Sequence, residues 1–194
     1  MHTITVYSDF VCPYCLLAEK VLSDTLAGKE FRIDWQAFEL RPDPVPTLRP
    51  EDPYLPAVWQ QSVYPLAERL GVPIRLPAIS PQPRTRRASE LLLLARDRGR
   101  AHSYAMHVLR AFFQDGQDIG NTDVLVRLAG QSGLDAKEAR QALESGQYRA
   151  AHRAAQHHAR NVLGITSVPT IIAGNQTFRG VPAPDALANA LASI

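Results

Sequence analysis

The sequence predicts an α/β protein: a βαβ unit at the N-terminus and a ββα unit at the C-terminus share one mixed sheet, with a large all-helical insertion between them. Two observations carry this. β-rich or period-two segments occur only near the two ends of the chain, and the stretch between them has apolar residues at helical spacing, broken by proline-rich loops. No longer period recurs, which excludes a solenoid. The expected division is 1–50 with 164–194 as the sheet domain, discontinuous in sequence, and 51–163 as the helical subdomain.

The first strand is read at Ile4-Thr5-Val6-Tyr7. From Cys15 to about Leu26, Leu16, Leu17, Val21 and Leu22 fall near helical spacing, and Gly28 ends the run. Phe31 to Phe38 alternates Phe31, Ile33, Trp35 and Ala37 against Arg32, Asp34 and Gln36, the pattern of a strand with one buried face. These three make the βαβ unit, so the two strands should be parallel. Six prolines between Arg41 and Pro56 dictate a loop. An amphipathic segment runs from about Tyr54 to Leu70 with Pro65 inside it, and a second proline-rich loop spans Val72 to Pro83. Helices follow over Arg84–Arg98, Ala101–Gln114, Thr122–Gly130, Ala136–Leu143 and Tyr148–Leu163, with N-caps near Asn121 and at Asp135 and a stop at Gly133. At the end, Val168 to Ala173, Gly174-Asn175 and Gln176-Thr177-Phe178 read as a hairpin, and Asp185 to Ile194 as a closing helix.

Composition narrows the function class. The chain has 194 residues, 45% of them hydrophobic and 21% charged, enough to bury a real core. Its 21 basic and 19 acidic residues leave a formal charge of +2, too small a bias to imply nucleic acid or an anionic membrane as the main partner. No apolar run approaches the roughly 20 residues of a membrane span, and the chain enters its first strand without an apolar leader, so a cytoplasmic protein is expected. Two cysteines cannot make a disulfide scaffold, nor a four-cysteine metal site.

Those two, Cys12 and Cys15, sit where a strand ends and a helix begins. Unpaired N–H groups and the helix dipole stabilise a thiolate at such a helix start, which makes Cys12 the nucleophile. One turn on, Cys15 shares its face and can resolve a mixed disulfide held on Cys12. Pro13 lacks an N–H where the first helical turn does not need one, and with Tyr14 it is expected to tune the pair. None of the six histidines lies at finger-like spacing from the cysteines, so no metal and no external cofactor is expected. Val168-Pro169 opens the third strand. If that bond is cis, the Val168 backbone can pair with an extended substrate while Cys12 reacts with its sulfur; if trans, Pro169 merely ends a loop.

The chain resembles the DsbA-like thioredoxin-fold oxidoreductases, most closely the FrnE-type branch. The resemblance rests on Cys12-Pro13-Tyr14-Cys15, the long helical insertion, and Gly164-Ile165-Thr166-Ser167-Val168-Pro169-Thr170. Supporting it are Tyr7-Ser8-Asp9-Phe10-Val11, Phe38-Glu39-Leu40-Arg41-Pro42, Ala111-Phe112-Phe113 and Asp118-Ile119-Gly120. It implies a thioredoxin fold, a redox-cycling Cys12–Cys15 disulfide facing a cis-proline at Pro169, and thiol or disulfide proteins and peptides as substrates, with a redox partner that recycles the pair. FrnE-type proteins usually carry Trp where Tyr14 stands, so the direction of electron flow is left open. The kappa-type glutathione transferases and chromene-carboxylate isomerases share the insertion and supply the alternative, a glutathione-dependent transferase or isomerase with glutathione as co-substrate. They usually have serine in place of the first cysteine.

Among the remaining features, Arg84, Arg86 and Arg87 are expected on a solvated helix face, and His152, His157 and His158 as exposed helix histidines. Trp35 and Phe38 are expected in the core. Trp59 and Tyr64 either pack the insertion or line a groove. Asp9 and Glu39 are the acids nearest the cysteines in sequence, each a candidate to relay the Cys15 proton.

Overall fold

The computed structural model describes residues 2–193. Four strands, β1 (His2–Ser8), β2 (Phe31–Ala37), β3 (Thr170–Ala173) and β4 (Gln176–Arg179), form one sheet in the order β2-β1-β3-β4. β1 and β2 are parallel, with Val6 opposite Trp35, and α1 (Pro13–Leu26) is their crossover. β3 runs antiparallel to β1 with Val6 opposite Ile171, and β4 antiparallel to β3. This is the mixed sheet expected from the sequence. Gly174 alone carries a positive φ in the β3–β4 turn, at 58°, so Asn175 does not share that role.

Each boundary has a local cause. Pro13 opens α1, and Gly28, at φ 74°, lies just beyond its end. The segment read as one amphipathic helix is α2 (Tyr54–Val58), a π-helical turn (Trp59–Val63) and α3 (Tyr64–Leu70). The wide turn falls just before Pro65, which has no N–H to give and whose ring crowds a regular α-turn; the Tyr64 N–H reaches back to the Trp59 carbonyl instead. Then follow α4 (Arg86–Asp97), α5 (Ala101–Phe113), α6 (Thr122–Gln131), α7 (Ala136–Ser145), α8 (Arg149–Asn161) and, after the hairpin, α9 (Pro184–Ala192). Both expected caps are in place: the Asn121 side chain accepts from the Asp123 and Val124 N–H groups, and Asp135 from those of Lys137 and Glu138. The expected extension of the last helix to Ile194 lies outside the described residues.

The core is continuous from the sheet into the helices. Ile4, Val6, Trp35 and Ile171 from the strands are fully buried, as are Leu17 and Leu22 of α1 and Leu91, Leu109 and Phe112 of the helical segment. α4, α5 and α8 all pack against β2, and α1 packs against α3, α5 and α9. The two proline-rich loops, which cannot continue a ladder or a helix, are laced to each other. The Gln82 N–H donates to the Leu48 carbonyl at 2.8 Å, and the Arg84 guanidinium to the carbonyls of Arg41 and Val45 at 3.1 and 2.9 Å. That lacing holds them over the ends of β1 and β2, where the cysteines lie.

Candidate active site

Cys12 is the N-cap of α1 and takes no side-chain cap bond; the residue is itself buried, with only 5% of its surface exposed. A turn preceding the helix positions it: the Cys12 N–H donates to the Asp9 carbonyl at 3.0 Å and the Cys15 N–H to the Cys12 carbonyl at 3.1 Å. The Cys12 thiol donates to the Val168 carbonyl at 3.4 Å, and the Val168–Pro169 peptide bond is cis. Strand β3 thereby brings a residue 156 positions away in sequence onto the reactive sulfur.

The two cysteines are unequal. Cys12 lines a cavity of about 220 Å³, whereas Cys15 is fully buried and does not. Burial and its hydrogen bond with Cys12 hold the Cys15 thiol well above the ordinary cysteine range; the Ser8 hydroxyl and the Asp9 N–H pull the other way. Ser8 is itself buried and its hydroxyl has no hydrogen-bond partner among the described residues, so its O–H is uncommitted and can turn to a Cys15 thiolate. Both thiols are free in this structure.

The cavity walls come from segments far apart in sequence. Leu55, Val58 and Trp59 form an apolar side, with Trp59 packed edge-on against Tyr64 at 5.2 Å and tilted against Phe113 at 5.8 Å. The alternatives left open for Trp59 are thus both true: it packs the helical segment and it lines the cavity. Tyr14 also lines the cavity, its hydroxyl donating to Ser62 at 2.7 Å and tying the start of α1 to the π-helical turn. Arg41, Thr47, Gln82 and Arg84 from the laced loops supply the polar side.

Asp9 lies on the cavity wall and is buried. Desolvation pushes its carboxyl up to about 6, opposed by the Leu40 N–H at 2.8 Å, by the Thr85 hydroxyl and by the Val11 N–H, while the Glu39 charge adds to the rise. Glu39, the other candidate acid, is not at the cysteines' cavity. Its carboxylate meets the His152 Nε2 at 2.7 Å, and its backbone is held at both ends by Gln156, whose Oε1 accepts from the Glu39 N–H at 2.8 Å and whose Nε2 donates to the Glu39 carbonyl at 2.9 Å. His152 is therefore a buried docking residue and not the exposed histidine the helix pattern suggested; the partner that draws it inward comes from 113 residues away. His157 and His158 are exposed as expected, and Trp35 and Phe38 are core residues. Thr85 and Ser8 were missed by the sequence reading. Nothing in their spacing sets them apart from ordinary polar residues at element ends.

The model of the DSBA-like thioredoxin domain matches residues 3–192. The chain belongs to this family, whose members are generally oxidoreductases or isomerases. It is 40% identical over 189 residues to the Bacillus subtilis (strain 168) protein YwbO, described as uncharacterized, covering 97% of this chain and 94% of that one. Among solved structures, a probable DsbA oxidoreductase, SCO1869 from Streptomyces coelicolor, is similar with a TM-score of 0.80 at 24% identity, covering 100% of this chain and 89% of that one. A 2-hydroxychromene-2-carboxylate isomerase has the same TM-score, 0.80, at 19% identity, covering 98% and 95%. The cytosolic disulfide reductase DsbM from Pseudomonas aeruginosa, solved with GSH, gives 0.71 at 17% identity, covering 98% of each chain. At such identities the solved structures establish the DsbA-like thioredoxin fold alone. Among the described residues, no helix is long and apolar enough to cross a membrane.

Proposed function

We propose that this protein is a thiol–disulfide oxidoreductase acting on protein or peptide substrates through Cys12 and Cys15. The observation that carries the reading is the asymmetry of the pair: Cys12 opens on a cavity beside the Val168 carbonyl, and Cys15 is sealed behind it. In reduction, the Cys12 thiolate attacks a substrate disulfide, one substrate thiolate leaves, and a mixed disulfide remains. Cys15, once deprotonated, attacks the Cys12 sulfur, the second substrate thiolate leaves, and two electrons have passed from the pair to the substrate. Oxidation is the reverse. Val168 and Pro169 offer the backbone edge for the substrate chain, and Pro13 and Tyr14 tune the pair. In this reading residues 51–163 are an insertion that walls the cavity, the pair needs no further cofactor, a separate redox partner recycles it, and the cytoplasm is the proposed compartment, as for the cytosolic reductase of like fold.

A second reading, a glutathione-dependent transferase or isomerase, is favoured by one observation, the confined cavity of about 220 Å³, which suits a small thiol compound. The fold it shares with a chromene-carboxylate isomerase is compatible with it.

The test is the reduction potential of the pair, from protein equilibrated in glutathione redox buffers with the alkylated thiols counted by mass. A potential between roughly −270 and −120 mV is expected, the low end marking a reductant and the high end a disulfide donor. No disulfide at any poise overturns the redox reading. Cys12→Ser should reduce exchange to background and Cys15→Ser should accumulate mixed disulfide; glutathione-dependent turnover that survives loss of Cys15 would instead establish the second reading.

A further inference from the structure

A second, larger cleft of about 1120 Å³ opens on the far side of Arg84. Pro83 and Arg84 line both it and the Cys12 cavity, so the two abut. Its lining is cationic: Arg84, Arg86 and Arg87 on one side face Arg153, His157 and Arg160 of α8 on the other. Three acids also line it, and each is already engaged. Glu39 holds His152, Asp43 pairs with Arg84 at 3.4 Å, and the Asp118 carboxylate accepts the Gly120 N–H at 2.8 Å. On the cationic side Arg86 pairs with Glu90 at 3.5 Å, but no carboxylate among the described residues pairs with Arg87, Arg153 or Arg160. Five arginines against three carboxylates leave a formal +2 in the cleft with its histidines neutral, as large as the +2 of the whole chain. The buried His152 ring, also on the lining, is fixed at Nε2 while its Nδ1 has no partner among the described residues. Arg86 and Arg87 are exposed on α4 as expected, Arg84 is half-buried in the loop before it, and all three line the concave surface.

We propose that this cleft binds a carboxylate-rich segment of the disulfide substrate, on the chain that flanks its reactive cysteine; the inference rests on the redox reading above. The spacing selects an extended acidic chain over a single small anion. Arg153, His157 and Arg160 stand at i, i+4 and i+7 on one face of α8, a row about 10 Å long at 1.5 Å per residue. Alternate side chains of an extended peptide project to one side about 7 Å apart, so the first and last of three glutamates at alternate positions, about 13 Å apart, reach both Arg153 and Arg160 at the ends of that row. A chain whose cysteine sits at Cys12 and whose backbone runs past Pro83 and Arg84 enters the cleft directly. Among the described residues no Phe, Tyr or Trp lines the cleft, and the His152 ring is held by Glu39, so it lacks the broad ring faces on which successive bases stack.

The experiment uses the reduced full chain and three peptides, each carrying one cysteine as a mixed disulfide with 2-mercaptoethanol. Glutamate, glutamine or lysine occupies three alternate positions beyond a short spacer. Rapid-quench single-turnover kinetics then follow peptide thiol release, the protein's own dithiol supplying the two electrons. Exposed pairs are each worth roughly threefold, so the glutamate peptide should react about tenfold faster than the glutamine peptide at low salt, with the advantage shrinking at high salt. Arg87→Glu/Arg153→Glu should invert the order in favour of lysine and leave the glutamine peptide's rate within about twofold of the original. If that variant does not fold, Arg153→Gln alone should lower the advantage without abolishing it. Equal rates for the glutamate and glutamine peptides overturn the cleft proposal while leaving the redox reading standing, as does a preference unchanged by these variants. Tighter binding of a ten-residue oligothymidylate than of the glutamate peptide, by fluorescence anisotropy, assigns the cleft to nucleic acid. No reaction with any peptide removes the redox reading itself.

Discussion

Two buried carboxylates stand near the ends of the parallel strands, and the protein treats them oppositely. Glu39, just after β2, is given a side-chain partner in His152 and a backbone clamp in Gln156. Asp9, just after β1, receives only N–H groups and a hydroxyl, with desolvation dominating, and its carboxyl is pushed up to about 6. Glu39 anchors α8 onto β2 and does not line the Cys12 cavity; it reaches the cysteines' surroundings only through the effect of its charge on Asp9. Asp9 shares a cavity wall with Cys12, and its carbonyl accepts the Cys12 N–H. A carboxyl poised near neutrality beside a thiol is an asset for moving protons, while one locked to a histidine is an asset for holding a helix.

Breaking the Glu39 pair should have the largest effect. His152→Ala leaves a buried carboxyl without its side-chain partner, and unfolding in urea should show a loss of about 3 kcal/mol. Glu39→Gln in the same background should recover part of that loss, because a neutral amide is cheaper to bury unpaired. The reduction potential of the Cys12–Cys15 pair should not move in either variant. A shifted potential would mean that the two carboxylates are not separate in function.

Asp9 predicts a pH signature in place of a contact. A carboxyl whose folded value lies above its unfolded one binds its proton more tightly in the folded state. It therefore adds stability that is complete below the ordinary value of 3.8 and lost as pH rises through about 6. The difference corresponds to about 3 kcal/mol at most, so the wild type should lose up to that much between pH 4 and pH 7 through this group. Asp9→Asn should flatten this part of the stability curve. It should also slow the resolving step more than the attack, because Cys15, held high by burial and by Cys12, is the thiol that must lose a proton. Quench-flow trapping of the mixed disulfide separates the two steps; an unchanged resolving rate would leave Asp9 a structural residue only.

The contrast also marks what could be read from the sequence. Cys12, Pro13 and Cys15 were legible because their roles depend on local geometry: three residues of spacing fix one helical turn, and a proline at the first helical position fixes its start. The sheet was legible for the same reason, since the alternation through Trp35 and the Gly174 turn are local signals. Glu39 and His152 were not. Glu39 reads as a candidate proton relay and His152 as an exposed helix histidine until α8 is laid across β2, a contact that spans 113 residues. The cationic cleft was hidden in the same way, because Arg87 and Arg153 belong to separate helices, α4 and α8, that only packing brings face to face.

The smallest expected effect tests how finely Asp9 is set. Thr85 is the N-cap residue of α4, yet its backbone is not in the extended region and its side chain caps nothing in that helix. Its hydroxyl serves Asp9 instead, favouring the charged carboxylate against desolvation. Thr85→Val keeps the shape, removes the donor and costs the helix no cap bond, so the stability change below pH 4, where Asp9 is protonated, should stay within about 0.5 kcal/mol. Above pH 6 the carboxylate loses one of its supports, and the variant should be less stable than the wild type by about 1 kcal/mol. The Asp9 titration, followed by carboxyl-carbon NMR, should move upward from about 6 in step. A variant that loses equal stability at both ends of the pH range would show that Thr85 acts through packing, and that the N–H groups of Leu40 and Val11 alone oppose the desolvation of Asp9.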